Sequence, residues 1–349
     1  RAGMTALTEA GRRNIAGLQA TLFSEILHTR EKLEWMMLPR LLAVAERAWA
    51  SDPAWARESD PARAAELHAR DWSVFVAQLG RHVLPRLSRE TPGLNWRIAP
   101  PGLRRDGERV LANHPLPGLT IRATTDLSEP GAASPVVTGP ITTRATVRAA
   151  AFAPDGRRGP VTTLAGADRV VFMGDSITEG WARFGGDFFA DPARINRGIG
   201  GQTTKEMLAR FDADVIAARP RVVVILAGTN DIAGNSGPTT EDEIAGRIAA
   251  MADKARAAGI RVVLVSVLPA DRYYWAPALQ PAARIVELNR RIAAIAARHG
   301  DLFVDLHTTM ADAGQGLKRE YGADGVHPDP AGYAVMRGPV EAAIAAALR

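Results

Sequence analysis

From Ala165 to the end of the chain, short apolar segments alternate with longer segments of helical spacing, and this rhythm constrains the fold more than any other feature. Four apolar segments predict buried strands at Arg169–Met173, Val222–Ala227, Arg261–Val267 and Leu302–Asp305, and a further strand is predicted at Arg194–Arg197. The helical segments are Thr204–Ala218, Glu241–Ala258, Ala282–Arg298 and Pro330–Leu348. Such alternation favours right-handed βαβ units and a parallel sheet covered on both faces. We therefore predict an α/β domain over residues 166–349.

The first of these predicted strands ends abruptly at Gly174, and Ser176 follows two residues later. Open parallel sheets place their chemistry at the carboxyl ends of the strands. A serine in a tight turn at such an end is a candidate nucleophile. It becomes a convincing one only if a base, an orienting acid and oxyanion donors are found elsewhere in the chain.

Three later loops supply groups of this kind. A serine hydroxyl needs a base, the base needs an acid that fixes its tautomer, and the developing oxyanion needs hydrogen-bond donors. His327 is the candidate base and Asp324, three residues earlier, is the candidate acid. The candidate oxyanion donors are the backbone N–H groups of Ser176 and Gly201 and the side-chain amide of Asn230. Because loops at the carboxyl ends of parallel strands converge, these groups can meet in one crevice.

Four ordered segments resemble the conserved blocks of the GDSL/SGNH hydrolases over residues 168–349. They are Gly174-Asp175-Ser176-Ile177, Gly200-Gly201, Gly228-Thr229-Asn230-Asp231 and Asp324-Gly325-Val326-His327-Pro328. The resemblance implies a flavodoxin-like three-layer α/β/α fold, ester hydrolysis and, block by block, the roles named above. Ile177 replaces a usual leucine, and Gln202 replaces a frequent aspartate. The Gly-x-Ser-x-Gly turn of the larger α/β-hydrolases is not present around Ser176.

Residues 1–92 have mostly helical patterns, whereas residues 93–165 do not. One helix is predicted from Thr29 to Trp49 with a kink at Pro39, and a second from about Pro61 to Leu87. Residues 93–165 consist of short β-prone segments between Pro, Gly and Asp turns. That pattern is typical of a small antiparallel sandwich. We expect a helical accessory segment, a small Ig-like β-sandwich and the α/β domain, in this order.

Parts of this N-terminal half resemble bacterial β-N-acetylhexosaminidases over residues 10–165. We predict a strand at Gly17–Phe23. Gly17–Ala20, Ser24-Glu25 and Leu38–Trp49 resemble the last strand and helix of that family's barrel. Trp96–Gly102, Pro117–Arg122 and Thr124–Asp126 resemble the Ig-like domain that follows the barrel. One strand and one helix cannot close an eight-stranded barrel. The resemblance therefore implies a scaffold rather than glycosidase chemistry.

An aromatic loop after the fourth predicted strand is the candidate determinant of substrate choice. Its residues Arg272, Tyr273, Tyr274 and Trp275 can stand beside the serine, and Trp181 lies just beyond the serine turn. Aromatic rings suit stacking on a sugar face, and an arginine suits a polar or anionic group. The alternative is that these side chains pack the loop against the sheet.

Composition excludes several classes of function and leaves others open. The net charge is +5, but the basic residues are scattered, so we expect no nucleic-acid partner. The chain has no cysteine and no metal or cofactor motif, so we expect neither a metal nor a cofactor. No apolar run is long enough for a membrane span. Residues Arg1–Met4 lack the core of a signal peptide; any such peptide was removed or never present. A periplasmic or secreted location is favoured over a cytoplasmic one.

The sequence predicts a bacterial serine ester hydrolase that removes short acyl groups, chiefly acetyl, from carbohydrate. One alternative is a lipid or aryl esterase of the lysophospholipase or acetylhydrolase type. Another is a carbohydrate-binding scaffold with a vestigial hydrolase. The apolar faces of the N-terminal helices need a covering surface. They can pack on the hydrolase domain or on a second copy of the chain, so a homodimer is a further hypothesis.

Overall fold

Two compact units make up the chain in the computed structural model, which describes residues 8–23 and 25–349, with Arg12 described by its backbone alone. The first unit contains the described residues up to Thr124 together with Ser128–Ile141 and Arg148–Thr163. The second contains Thr125–Leu127, Thr142–Val147 and Leu164–Arg349.

Helices begin the first unit. They are α1 (Glu9–Arg13), α2 (Arg30–Met37), α3 (Arg40–Trp49), α4 (Ala54–Arg57), α5 (Pro61–Gln78) and α6 (Leu84–Glu90), with a π-helical turn Leu79–Val83 before α6. The single helix predicted across Pro39 is two helices, because proline has no N–H with which to continue the ladder. The Leu38 N–H donates to the Glu34 carbonyl and ends α2. The Thr29 hydroxyl caps the start of α2 by accepting from the Lys32 N–H.

The prediction of a strand at Gly17–Phe23 is wrong. These residues have no regular secondary structure, and their side chains are exposed. A strand satisfies its backbone groups through a neighbouring strand. The described part of the chain places no strand beside this segment.

Six short strands follow the helices and confirm the predicted small sandwich. They are β1 (Gly102–Asp106), β2 (Arg109–Asn113), β3 (Thr120–Thr124), β4 (Ile141–Thr142), β5 (Val147–Phe152) and β6 (Thr162–Leu164). They form two three-stranded sheets in the orders β1-β2-β4 and β3-β5-β6. The pairs β1/β2 and β3/β5 are antiparallel. Trp96, Ile98 and Ala151 pack with Val76 and Leu84 of the helices in one buried cluster.

A five-stranded parallel sheet forms the centre of the second unit. Its strands are β7 (Val170–Gly174), β8 (Arg194–Gly198), β9 (Val222–Leu226), β10 (Arg261–Val265) and β11 (Leu302–Val304). The order is β11-β10-β9-β7-β8, and the neighbouring strands are parallel. All five strands lie where the sequence predicts them, within one or two residues at each end.

Helices cover both faces of this sheet. They are α7 (Ser176–Phe184), α8 (Thr204–Phe211), α9 (Thr229–Ile232), α10 (Glu241–Ala257), α11 (Ala282–His299), α12 (His307–Met310) and α13 (Pro330–Leu348). A π-helical turn, Asp212–Ile216, extends α8. Alternate residues of each strand point to opposite faces. Val171 and Met173 therefore pack with α8, α10 and α11, whereas Val170 and Phe172 pack with α7 and α13. No helix in the described ranges is long and apolar enough to cross a membrane.

The strand order confirms the flavodoxin-like three-layer fold. The first strand in chain order, β7, lies between β8 and β9. The chain places β8 on one side of β7 and then places β9, β10 and β11 in turn on the other side. This reversal is a topological switch point, and a crevice forms there outside the carboxyl ends of the strands. The segments that follow β7 and β9 flank that crevice; Ser176 begins α7 after β7, and Asn230 lies in α9 after β9.

Candidate active site

Ser176 is the first residue of α7, directly beyond the buried strand β7. Asp175 caps the helix, because its Oδ1 accepts from the Ile177 N–H at 2.9 Å. A Cβ on Gly174 would lie 2.0 Å from the Thr178 Oγ1 and 2.7 Å from the Leu226 carbonyl oxygen, so only glycine permits this sharp entry into the helix. The first N–H groups of a helix have no intrahelical partner. The Ser176 N–H is therefore oriented out of the helix end, beside its own hydroxyl.

His327 and Asp324 complete a chain of hydrogen bonds from this hydroxyl. The His327 Nε2 lies 2.9 Å from the Ser176 Oγ, and the His327 Nδ1 lies 2.8 Å from the Asp324 Oδ2. A carboxylate only accepts, so the Nδ1 carries the proton that it shares with Asp324. The Nε2 is then free to accept from the serine hydroxyl. This is the arrangement that a general base requires.

Asp324 is itself held in place by the backbone of its own loop. Its Oδ1 accepts from the N–H groups of Val326 and His327 at 2.8 and 2.7 Å. Partial burial acts to raise the pKa of Asp324, but the hydrogen bonds from the His327 backbone, the His327 ring and the Val326 backbone outweigh it and lower the pKa below the ordinary value. Asp324 is thus a carboxylate at neutral pH, as an orienting acid must be.

The loop that carries His327 is attached to both neighbouring helices. Asp329 caps α13 by accepting from the Ala331 and Gly332 N–H groups. The hydroxyl of Tyr333 in α13 donates to the Ile177 carbonyl in α7 at 2.8 Å. Because Ile177 follows the serine, this bond joins the helix after the base to the helix that begins with Ser176.

Of the remaining predicted oxyanion donors, Gly201 lies in the loop after β8, and Asn230 lies in the short helix α9 that follows β9. A Cβ on Gly200 would lie 3.8 Å from the Ser176 Cβ, which brings the Gly200-Gly201 turn close to the serine. Gly201 has φ +78°, a conformation that glycine adopts without strain. Asn230 is 4% exposed, and its Nδ2 donates to the Gln202 carbonyl at 3.0 Å. An amide Nδ2 carries two hydrogens, so one remains for a ligand.

Gln202, which departs from the GDSL pattern, is supported by an arginine. Its Oε1 accepts from the Arg210 Nε at 2.7 Å. The same guanidinium donates to the carbonyls of Gly174 and Arg197, at 3.2 and 2.9 Å. Arg210 therefore joins the ends of β7 and β8 to the loop that carries Gly201.

Two further aspartates, Asp175 and Asp231, stabilise the backbone around the crevice. Asp231 accepts from the backbone N–H and the hydroxyl of Thr204 at 2.8 and 2.6 Å, and burial raises its pKa. Asp175 is fully buried, and burial raises its pKa to about 6. Asp175 caps the start of α7, and Asp231 of α9 bonds the start of α8, so both side chains fix a helix end beside the crevice. Among residues 8–23 and 25–349 there is no group of three or more His, Cys, Asp or Glu side chains that could hold a metal ion.

The structure shows which of the candidate substrate-contacting aromatic residues are exposed and which are buried, a distinction that the sequence could not make. Trp275 is 37% exposed, and its ring lies 6.2 Å from the His327 ring, centroid to centroid. Tyr274 is 65% exposed and packs edge-on against Trp275, and Arg272 is exposed on the same loop.

Tyr273 and Trp181 are core residues, so the prediction that they contact substrate is corrected. Tyr273 is 0% exposed and Trp181 is 2% exposed. The Trp181 ring stacks on Phe188 with centroids 4.3 Å apart and also stacks on Tyr333. Burial of such a ring in the core stabilises the fold, and it leaves almost none of the ring's surface accessible to a substrate in the crevice.

Sequence reasoning missed two residues that hold the crevice loops. Glu179 accepts from the Gly200 N–H at 2.9 Å. Asn235 donates to the Gly201 carbonyl at 3.2 Å and to the Asn230 Oδ1 at 2.9 Å. Glu179 lies three residues after Ser176. Because residues three apart share a helix face, this spacing could have predicted that Glu179 lies near the serine. Asn235 lies in an ordinary Asn-Ser-Gly turn, which carries no such signal.

Comparisons with known proteins agree with both sequence resemblances. The model of the GDSL-like Lipase/Acylhydrolase family matches residues 172–335. The catalytic domain of glycosyl hydrolase family 20 matches residues 2–52, and the chitobiase/beta-hexosaminidase C-terminal domain matches residues 83–161. A GDSL-like lipase from Bacteroides thetaiotaomicron, of known structure, is 45% identical with a TM-score of 0.51, covering 52% of this chain and 89% of that one.

Two curated relatives match different halves of the chain. Esterase TesA of Pseudomonas aeruginosa is 29% identical over 181 residues, which are 48% of this chain and 83% of TesA. N,N'-diacetylchitobiase of Vibrio harveyi is 30% identical over 152 residues, which are 40% of this chain and only 17% of the chitobiase. The fold and the esterase relatives define the second unit as a carboxylic ester hydrolase. The chain belongs to the GDSL-like lipase/acylhydrolase family through residues 172–335.

Proposed function

We propose that this protein removes short acyl groups, chiefly acetyl, from carbohydrate hydroxyls through an acyl-enzyme on Ser176. The observation that carries the proposal is the continuous set of hydrogen bonds from the Ser176 Oγ to the His327 Nε2, and from the His327 Nδ1 to Asp324. These contacts give a weak nucleophile the base and the orienting acid that it needs.

The reaction follows from these contacts. The Ser176 Oγ attacks the ester carbonyl carbon, and its proton moves to the His327 Nε2. The N–H groups of Ser176 and Gly201 and the Asn230 Nδ2 donate to the oxyanion that forms. When the carbon–oxygen bond to the sugar breaks, His327 returns the proton to the departing hydroxyl oxygen. A water molecule then attacks the acyl-enzyme, gives its proton to His327 and releases the acid, and Ser176 recovers its proton.

Two features support a short acyl group on a sugar. The Trp275 ring lies 6.2 Å from the His327 ring, so it can limit the size of the acyl group that reaches Ser176. Its neighbour Tyr274 is the most exposed ring of the loop and can stack on a pyranose face. The N-terminal half is similar to domains of carbohydrate-acting enzymes, which supports a sugar substrate by association.

The first experiment tests the chemistry. Ser176→Ala should lower kcat for p-nitrophenyl acetate by roughly 10⁴-fold or more, the scale on which loss of a serine nucleophile acts. Ser73→Ala, a change of the same kind on the exposed side of α5, should leave kcat unchanged. Activity of Ser176→Ala near that of the wild type would refute the mechanism.

A second experiment tests the substrate. Mass spectrometry should detect acetate release from acetylated xylo-, manno- or chito-oligosaccharides, and p-nitrophenyl esters should show a preference for two to four carbons. A preference for about eight carbons or more would instead assign a lipid or aryl esterase. Binding of the oligosaccharides without turnover would assign a carbohydrate-binding scaffold.

A further inference from the structure

The side chain of Asn235 contacts three groups at the crevice through its one amide. Its Nδ2 donates to the Gly201 carbonyl at 3.2 Å and to the Asn230 Oδ1 at 2.9 Å, and its Oδ1 accepts from the Trp275 Nε1 at 3.3 Å. We propose that Asn235 is a positioning residue that orients the Asn230 amide towards the oxyanion, and that Trp275 fixes the orientation of Asn235. The inference rests on the proposed function, because it assigns Asn235 a task in that reaction.

The direction of each hydrogen bond follows from the indole. A tryptophan Nε1 can only donate, so the atom of Asn235 that faces it must be the oxygen. The Asn235 Nδ2 then faces Gly201 and Asn230, both of which present oxygen atoms to it. The Asn230 oxygen thereby accepts from Asn235. Its Nδ2 is left with one hydrogen for Gln202 and one for the oxyanion.

Asn230 therefore has two orienting partners. The Gln202 carbonyl attracts the Asn230 Nδ2, and the Asn235 Nδ2 attracts the Asn230 Oδ1. A reversed Asn230 amide would present an acceptor to the oxyanion and remove a donor worth about 10²–10³-fold in kcat. Asn235 acts against that reversal without touching the substrate.

The position of Asn235 does not depend on its side chain alone. Its backbone N–H donates to the Asn230 carbonyl at 3.0 Å, so the turn after α9 folds back over Asn230. Substitutions of the side chain should leave this turn in place. A change in activity would then report the lost orientation of the amide rather than a displaced loop.

Trp275 couples this orientation to the aromatic loop. The same side chain that lies 6.2 Å from the His327 ring anchors the Asn235 amide through its N–H. The position of the aromatic loop beside His327 is thus coupled to the orientation of the Asn230 amide. We expect Trp275→Phe, which keeps a ring and removes the N–H, to lower kcat about threefold to tenfold, on the scale of one ordinary hydrogen bond.

Asn235→Asp is the sharpest test, because it keeps the shape and exchanges a donor for an acceptor. A carboxylate at this position opposes the Asn230 Oδ1 and attracts its Nδ2 away from the oxyanion. We expect kcat for p-nitrophenyl acetate to fall by about 10²-fold, with KM within about threefold of the wild type. Ser236→Ala is the matched control: it removes the contact of Ser236 with the Thr203 hydroxyl in the same turn and should retain wild-type kcat.

A double-mutant cycle separates positioning from a structural role. If Asn235 acts through Asn230, Asn235→Asp should change kcat by less than about threefold in an Asn230→Ala background. Independent, multiplying losses would overturn the proposal, and so would wild-type kcat in Asn235→Asp. These outcomes are distinct from failure of the proposed function, in which Ser176→Ala itself retains activity.

Discussion

The Nε2 of His327 lies 2.9 Å from the Ser176 Oγ, although 151 positions separate the two residues in the chain. Two buried constraints produce this proximity. Strand β7 ends in a glycine that delivers Ser176 to the start of α7, and Tyr333 of α13 bonds the carbonyl of Ile177 in the same helix. The contact is therefore a property of the packed layers.

Ser176 and His327 should act as one unit. Ser176→Ala and His327→Ala should each lower kcat by about 10⁴–10⁶-fold, and the double variant should be no worse than either single variant, because each change alone already abolishes the proton transfer. Steady-state kinetics with p-nitrophenyl acetate check this. Losses that multiply in the double variant would indicate that the residues act independently.

Asp324 should matter through the tautomer of His327. In Asp324→Asn the amide can donate to the His327 Nδ1, which puts the proton on the Nε2 and blocks acceptance from Ser176; kcat should fall on the order of 10⁴-fold. Asp329→Asn is the control, since asparagine caps α13 as well as aspartate does, and its kcat should stay unchanged. Equal losses in the two variants would refute an orienting role for Asp324.

Asp175 should make stability depend on pH. Burial raises the pKa of its carboxyl from 3.8 to about 6, so the folded state holds this proton more tightly than the unfolded state. The stabilisation that protonated Asp175 gives the folded state is complete below the unfolded-state pKa and is lost as pH rises through the folded-state pKa. At ~1.4 kcal/mol per pKa unit, this loss amounts to ~3 kcal/mol. Asp175→Asn keeps the helix cap and does not titrate. Its free energy of unfolding in urea, relative to the wild type, should rise between pH 4 and pH 7, and a constant difference would contradict the shift.

Gly198 should be indispensable to the packing of α7. An added Cβ would lie 2.1 Å from the backbone nitrogen of Glu179, which cannot move without shifting Ser176. We expect Gly198→Ala to lower the free energy of unfolding by about 3 kcal/mol, the upper range for overpacking, and to lower kcat as well. Gly246→Ala, on the open side of α10, should raise stability by about 0.5–1 kcal/mol. Urea denaturation of both variants checks the contrast.

Much of the fold could be predicted because its signals are local. Runs of apolar residues predict four of the five strands of the parallel sheet, and a 3.6-residue period predicts its long helices. The error at Gly17–Phe23 has the opposite cause: a strand exists only with a hydrogen-bonded neighbour, and β propensity says nothing about whether one is present.

By itself, the sequence determined the five strands and four of the helices of the second unit, the order of its motif blocks, and the serine, histidine and acid that those blocks contain; it did not predict α7, α9 and α12. These follow from period, turn chemistry and spacing, which are properties of neighbouring residues. Only the tertiary structure decided that Trp275 faces His327 while Tyr273 is buried, and that Asn235 bonds Asn230. Residues in an irregular loop have no period that assigns them a face, so packing against distant elements decides where each side chain points.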